Sequence, residues 1–261
     1  MKLFQALFLL ALTAASAHVI SPAFAAGDCI LDNCADRQKP QPAPQAAPDS
    51  PAPNDQPPAR KPWFNTRGGA APSGNFDFYV LSLSWSPSFC AGGGASRSGA
   101  QCAPGANPGF VVHGLWPQFS SGYPSQCGGD GYVPYPVLNS LRGLYPDLGL
   151  AKHEWRTHGV CSGKNAAGYF DDVRAARDGL AIPPALKAPG QDQTVAPLEI
   201  QRAFIAANPR LRPGMMAVTC RGGRFQEARF CLSKDLRDFV DCPQVVREGC
   251  FSQSMIVPAA Q

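Results

Sequence analysis

Histidines are scarce in this 261-residue chain, and their positions make them the first candidates for chemistry. Of the four, His18 lies in an N-terminal segment that we expect to be removed, which leaves His113, His153 and His158. The first of these lies alone, and the other two lie close together further along the chain. Imidazole has an unperturbed pKa of about 6.5, so it can act as both acid and base near neutral pH. The grouping predicts acid–base catalysis.

The second segment, 152–161, has the pattern of a helix that ends near Gly159. On a helix, Glu154 and His158 are four residues apart and lie on the same face, where the carboxylate can orient the imidazole. His153 lies about 100° around the helix from Glu154. The alternative is that one or more of these histidines only makes hydrogen bonds in the core.

A zinc site is the main metal-binding alternative for this segment. The zinc-protease motif His-Glu-x-x-His places its two ligands four residues apart on one helix face. Here His153 and His158 are five residues apart and point about 140° away from each other. The chain also contains no Cys-x-x-Cys pair. We therefore predict no metal site.

These segments resemble the two active-site segments of the ribonuclease T2 family of secreted endoribonucleases. The resemblance rests on HGLWP at 113–117, HEW at 153–155 and HGVC at 158–161. It extends from about residue 76 to residue 250, and the stretch 78–87 resembles the family's first strand.

The resemblance implies cleavage of RNA without a metal or other cofactor. In this chemistry the ribose 2′-hydroxyl attacks the adjacent phosphorus and leaves a 2′,3′-cyclic phosphate. His158 would take the hydroxyl proton, and His113 would give a proton to the departing 5′-oxygen. Glu154 would orient the reacting groups, and His153 would bind phosphate. Because the nucleophile belongs to the substrate, we expect DNA to remain uncut.

Trp116 and Gln118 match positions where members of the family hold a base. An indole face stacks on any base with roughly 1–3 kcal/mol, so the resemblance implies low base specificity. Core packing is the alternative for Trp116, and it is our prediction for Trp155.

The main departure from the family pattern in the catalytic segment lies just before its last histidine, and Val160 in place of the usual threonine is a minor one. The family usually has a lysine immediately before the last histidine, where it stabilises charge in the transition state, whereas this chain has Thr157. Loss of such a contact costs about a hundredfold in rate. Neither Arg156 nor Lys152 is a clean substitute. A weakly active or non-catalytic secreted RNA-binding protein of the same fold is therefore the alternative function.

The N-terminus predicts export. Residues 1–25 combine one lysine, a short apolar run and an Ala-Phe-Ala cleavage site, the pattern of a signal peptide. The run is too short to span a membrane, so we expect a secreted or periplasmic protein without a membrane anchor. Residues 26–74 would form a cysteine-containing arm and proline-rich linker, and residues 75–261 the catalytic domain.

Apolar patterning predicts an α+β fold, with a central, mainly antiparallel sheet packed with helices. Strands are expected at 76–85, 110–112, 216–220, 224–232 and 238–241, and helices at 137–144, 151–158, 167–180 and 198–207. The ten cysteines of an exported chain predict disulfides, although spacing alone does not choose the pairs. The family resemblance implies the pairs Cys90–Cys102, Cys127–Cys161, Cys220–Cys250 and Cys231–Cys242, with Cys29–Cys34 as a local extra.

The charge balance is only mildly basic. The formal net charge of +4 permits a polyanionic partner such as RNA but does not require one. Basic residues between 200 and 237 are expected either to contact phosphates or to form a solvated face. We expect a monomer.

Overall fold

The computed structural model describes residues 73–106, 109–125 and 127–260. Every described residue belongs to one compact unit, Pro62–Gln261. The predicted signal peptide, the arm through residue 72 and the Cys29–Cys34 pair lie outside the described residues.

One sheet organises the described part of the chain. Its strands are β1 (Phe78–Trp85), β2 (Phe110–Gln118), β3 (Gln193–Val195), β4 (Met216–Arg221), β5 (Arg224–Ser233) and β6 (Met255–Val257). They are arranged in the order β2-β1-β5-β6-β3, and β4 also pairs with β5. All pairings are antiparallel except that of β6 with β5. The mixed, mainly antiparallel fold confirms the predicted class.

Helices fill the chain between and after these strands. They are α1 (Ser86–Ala91), α2 (Tyr135–Ser140), α3 (Leu148–Thr157), α4 (Ala166–Asp178), α5 (Pro197–Ala207) and α6 (Pro243–Arg247). Within the described ranges, none of them is long and apolar enough to cross a membrane. The helix predicted at 151–158 is present as α3 and begins earlier, because the Asp147 side chain caps the backbone N–H of Gly149.

The two faces of the sheet are packed differently. A large apolar cluster covers one face and includes Leu81 and Leu83 from β1, together with Phe230 from β5. The other face carries a smaller cluster around Val80 and Trp116. Because side chains alternate along a strand, the serines of β1 point to this second face.

Four disulfides join the elements: Cys90–Cys102, Cys127–Cys161, Cys220–Cys250 and Cys231–Cys242. These are the pairs that the family resemblance implied. The second bridge ties the loop after β2 to the turn after α3, so it holds together the two segments that carry the histidines.

Several sequence-based boundaries were wrong. No strand forms at 238–241, where a turn with Leu236 at φ 62° allows only a single bridge, from Phe239 to Leu232. The predicted helix 137–144 is the shorter α2, and β1 begins at Phe78. The strand predicted at 110–112 continues through the whole HGLWP motif to Gln118.

Candidate active site

A bulge in β2 directs His113 out of the core. The pairing of β2 with β1 shifts between Ser82 and Leu83, so His113 is an extra residue of β2 between Val112 and Gly114. Val112 and Leu115 both lie in the large core cluster although they are three residues apart. Since strict alternation would place them on opposite faces, the bulge moves His113 to the face that Trp116 occupies.

The next residue after the histidine makes room for a carboxylate. Glu154 is completely buried, and the Trp116 indole N–H donates a hydrogen bond to its Oε2 at 2.7 Å. A Cβ atom at Gly114 would overlap both this oxygen and the indole nitrogen. The other oxygen, Oε1, lies 3.9 Å from Nε2 of His113. Glycine at this position therefore allows α3 to place its carboxylate beside β2.

His158 follows directly after α3. Its backbone N–H donates to the carbonyl of Glu154 at 2.9 Å, which extends the helical turn by one residue. The imidazole is only 5% exposed, and its ring centre lies 5.7 Å from that of Trp116. The His113 ring lies 5.2 Å from the same indole. Both imidazole rings therefore lie close to one tryptophan.

The surroundings of His158 keep its imidazole neutral. Burial is the main cause, and the positive charges of His113 and His153 add to it, so that the pKa of His158 falls from 6.5 to about 3. At neutral pH this imidazole has a ring nitrogen that can accept a proton. This is the state that a general base requires.

A second buried carboxylate lies on the other side of His113. Oε1 of Glu227, a residue of β5, is 2.6 Å from Nδ1 of His113. The hydroxyl of Ser84 donates to the same oxygen at 3.0 Å. The other oxygen, Oε2, accepts bonds from Nε and Nη2 of Arg229 at 3.0 and 2.9 Å. Glu227 is thus held by three neighbours.

This environment keeps Glu227 ionised. Burial alone would raise the pKa of the carboxyl, but the charges of Arg229 and His113 and their hydrogen bonds outweigh it and hold the pKa well below 4.5. The site therefore contains a permanent negative charge in contact with one of its two buried histidines.

The remaining predicted residues lie around this cluster. His153 is half-buried on α3 and contributes to the electrostatics of His158. Gln118 is buried at the end of β2, two residues from Trp116 and on the same face. Thr157 is the last residue of α3, and the Arg156 side chain extends towards Gly131.

Trp116 is packed rather than open. It is 6% exposed, its N–H is bonded to Glu154, and the Arg229 guanidinium lies 5.2 Å from its ring. Tyr123 is a more open aromatic residue, because it is 46% exposed and its ring lies 6.5 Å from that of His158. The geometry favours the packing alternative for Trp116.

Three of the basic residues of 200–237 pair with carboxylates. Arg210 pairs with Asp238 at 2.9 Å, and Arg237 with Asp235 at 3.7 Å. Arg229 is bonded to Glu227 within the site and to Glu248 at 3.1 Å. Part of this positive charge is therefore balanced by neighbouring carboxylates.

Glu227 was not identified as a site residue from the sequence. An isolated acid in an apolar strand, two residues from an arginine, was the available signal. The pairing of β4 with β5 shifts between Thr219 and Cys220, which makes Gln226 an extra residue of β5. Phe225 and Ala228 consequently both face the core, and Glu227 faces the site. Nothing in the local pattern predicts that shift.

No group of three or more His, Cys, Asp or Glu side chains in 73–106, 109–125 and 127–260 is arranged to hold a metal ion. The spacing of His153 and His158 also differs from that of the zinc-protease motif.

Comparison with known proteins gives a consistent family match. Residues 76–242 match the model of the ribonuclease T2 family. A ribonuclease of Aeromonas hydrophila is 34% identical over 184 residues, covering 69% of this chain and 83% of that protein. Ribonuclease DdI of Dictyostelium discoideum is 29% identical over 196 residues, covering 68% of this chain and 82% of that protein.

Solved structures show the same fold. A mutant of RNase MC1 in complex with 5′-UMP aligns with a TM-score of 0.56 at 24% identity, covering 69% of this chain and 98% of that one. RNase NT in complex with 5′-AMP aligns with a TM-score of 0.56 at 20% identity, covering 71% of this chain and 99% of that one. At these identities the alignments support the fold alone.

Proposed function

The chain belongs to the ribonuclease T2 family and is an endoribonuclease, and we propose that it cleaves RNA by metal-independent transesterification through a 2′,3′-cyclic phosphate. The observation that carries this proposal is the pair of buried histidines next to Trp116, one kept neutral and the other bonded to a carboxylate.

The different surroundings of the two histidines support a direction for proton transfer. His158 is the general base, because its neutral imidazole can accept the proton of the ribose 2′-hydroxyl. His113 is the general acid, because carboxylates on both sides favour its protonated form and it can donate to the departing 5′-oxygen. A bound phosphodiester carries the negative charge that raises the pKa of His158 towards its working range.

The other site residues have supporting roles in this proposal. Glu154 orients Trp116 through the indole N–H and places negative charge near Nε2 of His113. His153 binds a phosphate oxygen. Gln118 contacts the base, together with the exposed ring of Tyr123, whereas Trp116 packs against both histidines. Stacking on an exposed ring without base-specific hydrogen bonds gives low base preference.

We also propose that the protein is an exported monomer that meets RNA outside the cytoplasm. Four disulfides in the described residues are typical of oxidising compartments. The 1–25 signal peptide and the secreted or periplasmic location remain predictions from the sequence.

The test is to incubate the refolded protein with RNA in the presence of EDTA. We expect fragments ending in 2′,3′-cyclic phosphate, and we expect an oligonucleotide of the same sequence made of DNA to remain intact. Replacing His158 or His113 by alanine should abolish cleavage. Loss of activity on chelation, or cleavage of DNA, would contradict the mechanism.

A second function is favoured by one specific observation, the threonine at position 157 in place of the usual lysine. It is a secreted RNA-binding protein of this fold with little or no turnover. RNA that is bound but uncut in the same assay would support it. The fraction bound, measured by filter retention, separates this result from a protein that does not recognise RNA.

A further inference from the structure

We infer that Glu227 is a positioning residue for His113: its carboxylate holds the imidazole by Nδ1 and favours the protonated form that donates to the leaving group. This inference rests on the proposed acid–base mechanism and adds to it a group that the sequence motifs do not contain. The residue lies on β5, far in sequence from both histidine segments.

The geometry of the contact is that of a carboxylate–imidazole pair. The 2.6 Å separation of Oε1 and Nδ1 is a hydrogen-bond distance, and both side chains are buried. An ionised carboxylate only accepts hydrogen bonds, so the proton of this bond belongs to Nδ1. Nε2 is then the ring nitrogen that exchanges a proton with the substrate.

The carboxylate is itself fixed, which a positioning role requires. Ser84 donates to Oε1, and the planar guanidinium of Arg229 donates twice to Oε2. Rotation of the Glu227 carboxylate would break all of these bonds. The orientation of the imidazole is therefore set by β1 and β5 as well as by its own strand.

The charge arrangement distinguishes the two histidines. His113 lies between Glu227 on the Nδ1 side and Glu154 on the Nε2 side, at 2.6 and 3.9 Å. The pKa of His158 is instead lowered by burial and by the charges of two neighbouring histidines. The negative charge beside His113 and the positive charge beside His158 therefore distinguish the general acid from the general base.

Replacing Glu227 by glutamine tests this role. The amide keeps the size of the side chain but removes its charge, and it can present N–H to Nδ1, which allows the wrong tautomer. We expect kcat to fall by about a hundredfold or more, with a small change in KM. The alkaline limb of the pH–kcat profile should move to lower pH, because His113 loses a proton more readily without the carboxylate.

Glu248→Gln is the matched control. This glutamate also bonds to Arg229, at 3.1 Å, but its side chain is 66% exposed, whereas that of Glu227 is buried. We expect parental activity and an unchanged pH profile. Parental activity and profile in Glu227→Gln as well would overturn the inference.

A measurement on the unaltered protein covers the case in which Glu227→Gln does not fold. Nitrogen-15 NMR of the imidazoles reports which ring nitrogen carries the proton. We expect a proton on Nδ1 of His113 throughout the pH range in which the protein is folded, and a neutral ring protonated only at Nε2 would contradict the pairing. This result is independent of catalysis, so it separates failure of the inference from failure of the proposed function, which would appear as intact RNA.

Discussion

At the residue scale, the two histidines occupy opposite electrostatic environments. His113 is bonded to an ionised carboxylate, whereas His158 is buried beside two other imidazoles. Identical side chains thus have neighbours of different charge. The motif identifies both residues as candidates, but it does not contain the groups that separate their roles.

Thr157 is the residue where the catalytic segment departs from its family, and its replacement gives a direct test. We expect Thr157→Lys to raise kcat by about 10- to 100-fold, because a cation next to His158 stabilises the extra negative charge of the pentacoordinate phosphorus. Steady-state cleavage of a short RNA measures this change.

Thr157→Met serves as the control for that experiment, since it adds a side chain of similar length without charge. Its kcat should stay near that of the parent protein. Equal rates for the lysine variant and the parent would mean that a missing cation does not limit turnover.

At the element scale, two bulges decide which side chains reach the site. The β2 bulge turns His113 towards Glu227, and the β5 irregularity turns Glu227 towards His113. The helix α3 then approaches β2 closely enough for Glu154 to bond to Trp116. Each of these elements was predicted from local patterning, but their mutual register was not.

Gly114 tests the close approach of α3 to β2. A Cβ atom there meets the Glu154 carboxylate and the Trp116 indole, so Gly114→Ala must displace at least one of them. We expect a loss of about 1–3 kcal/mol in the free energy of unfolding and a fall in kcat of at least about tenfold. Urea denaturation and RNA cleavage measure the two effects.

Gly190→Ala is the control, because nothing lies within 4 Å of a Cβ atom at that position and its φ is not positive. We expect stability and activity close to those of the parent protein. An unchanged kcat in Gly114→Ala would show that the contact between Trp116 and Glu154 is not needed for cleavage.

At the scale of the whole molecule, the buried site makes stability depend on pH. The unfolded chain protonates His158 near pH 6.5, whereas the folded protein does not do so until about pH 3. Stability is therefore lost as the pH falls through this window. Glu227 acts in the same direction below about pH 4.5, because its pKa is lowered in the folded protein.

We expect the free energy of unfolding to decrease steadily between pH 6.5 and pH 3.5, with the His158 share at most about 5 kcal/mol. Urea denaturation across this range measures it. His158→Asn keeps a polar side chain that does not titrate, so the free energy of unfolding of this variant should fall less steeply as the pH decreases. The same slope in both proteins would contradict the depressed pKa of His158.

The sequence by itself determined the candidate catalytic residues and most of the strands and helices. Helix geometry alone places Glu154 and His158, four residues apart, on the same face. The apolar periodicity of segments buried on one face predicts the strands and helices. These patterns are local, because each of them depends on only a few neighbouring residues. The resemblance of the HGLWP and HEW segments then supplied the family and the four disulfide pairs of the described domain.

Only the tertiary structure decided which groups meet across the sheet. The pairing of His113 with Glu227, which are 114 residues apart, depends on the register of three strands and on two bulges. A shift of one residue in either strand would turn the side chain to the opposite face. Register is set by the packing of the whole sheet, so no local pattern contained the charge that distinguishes the acid from the base.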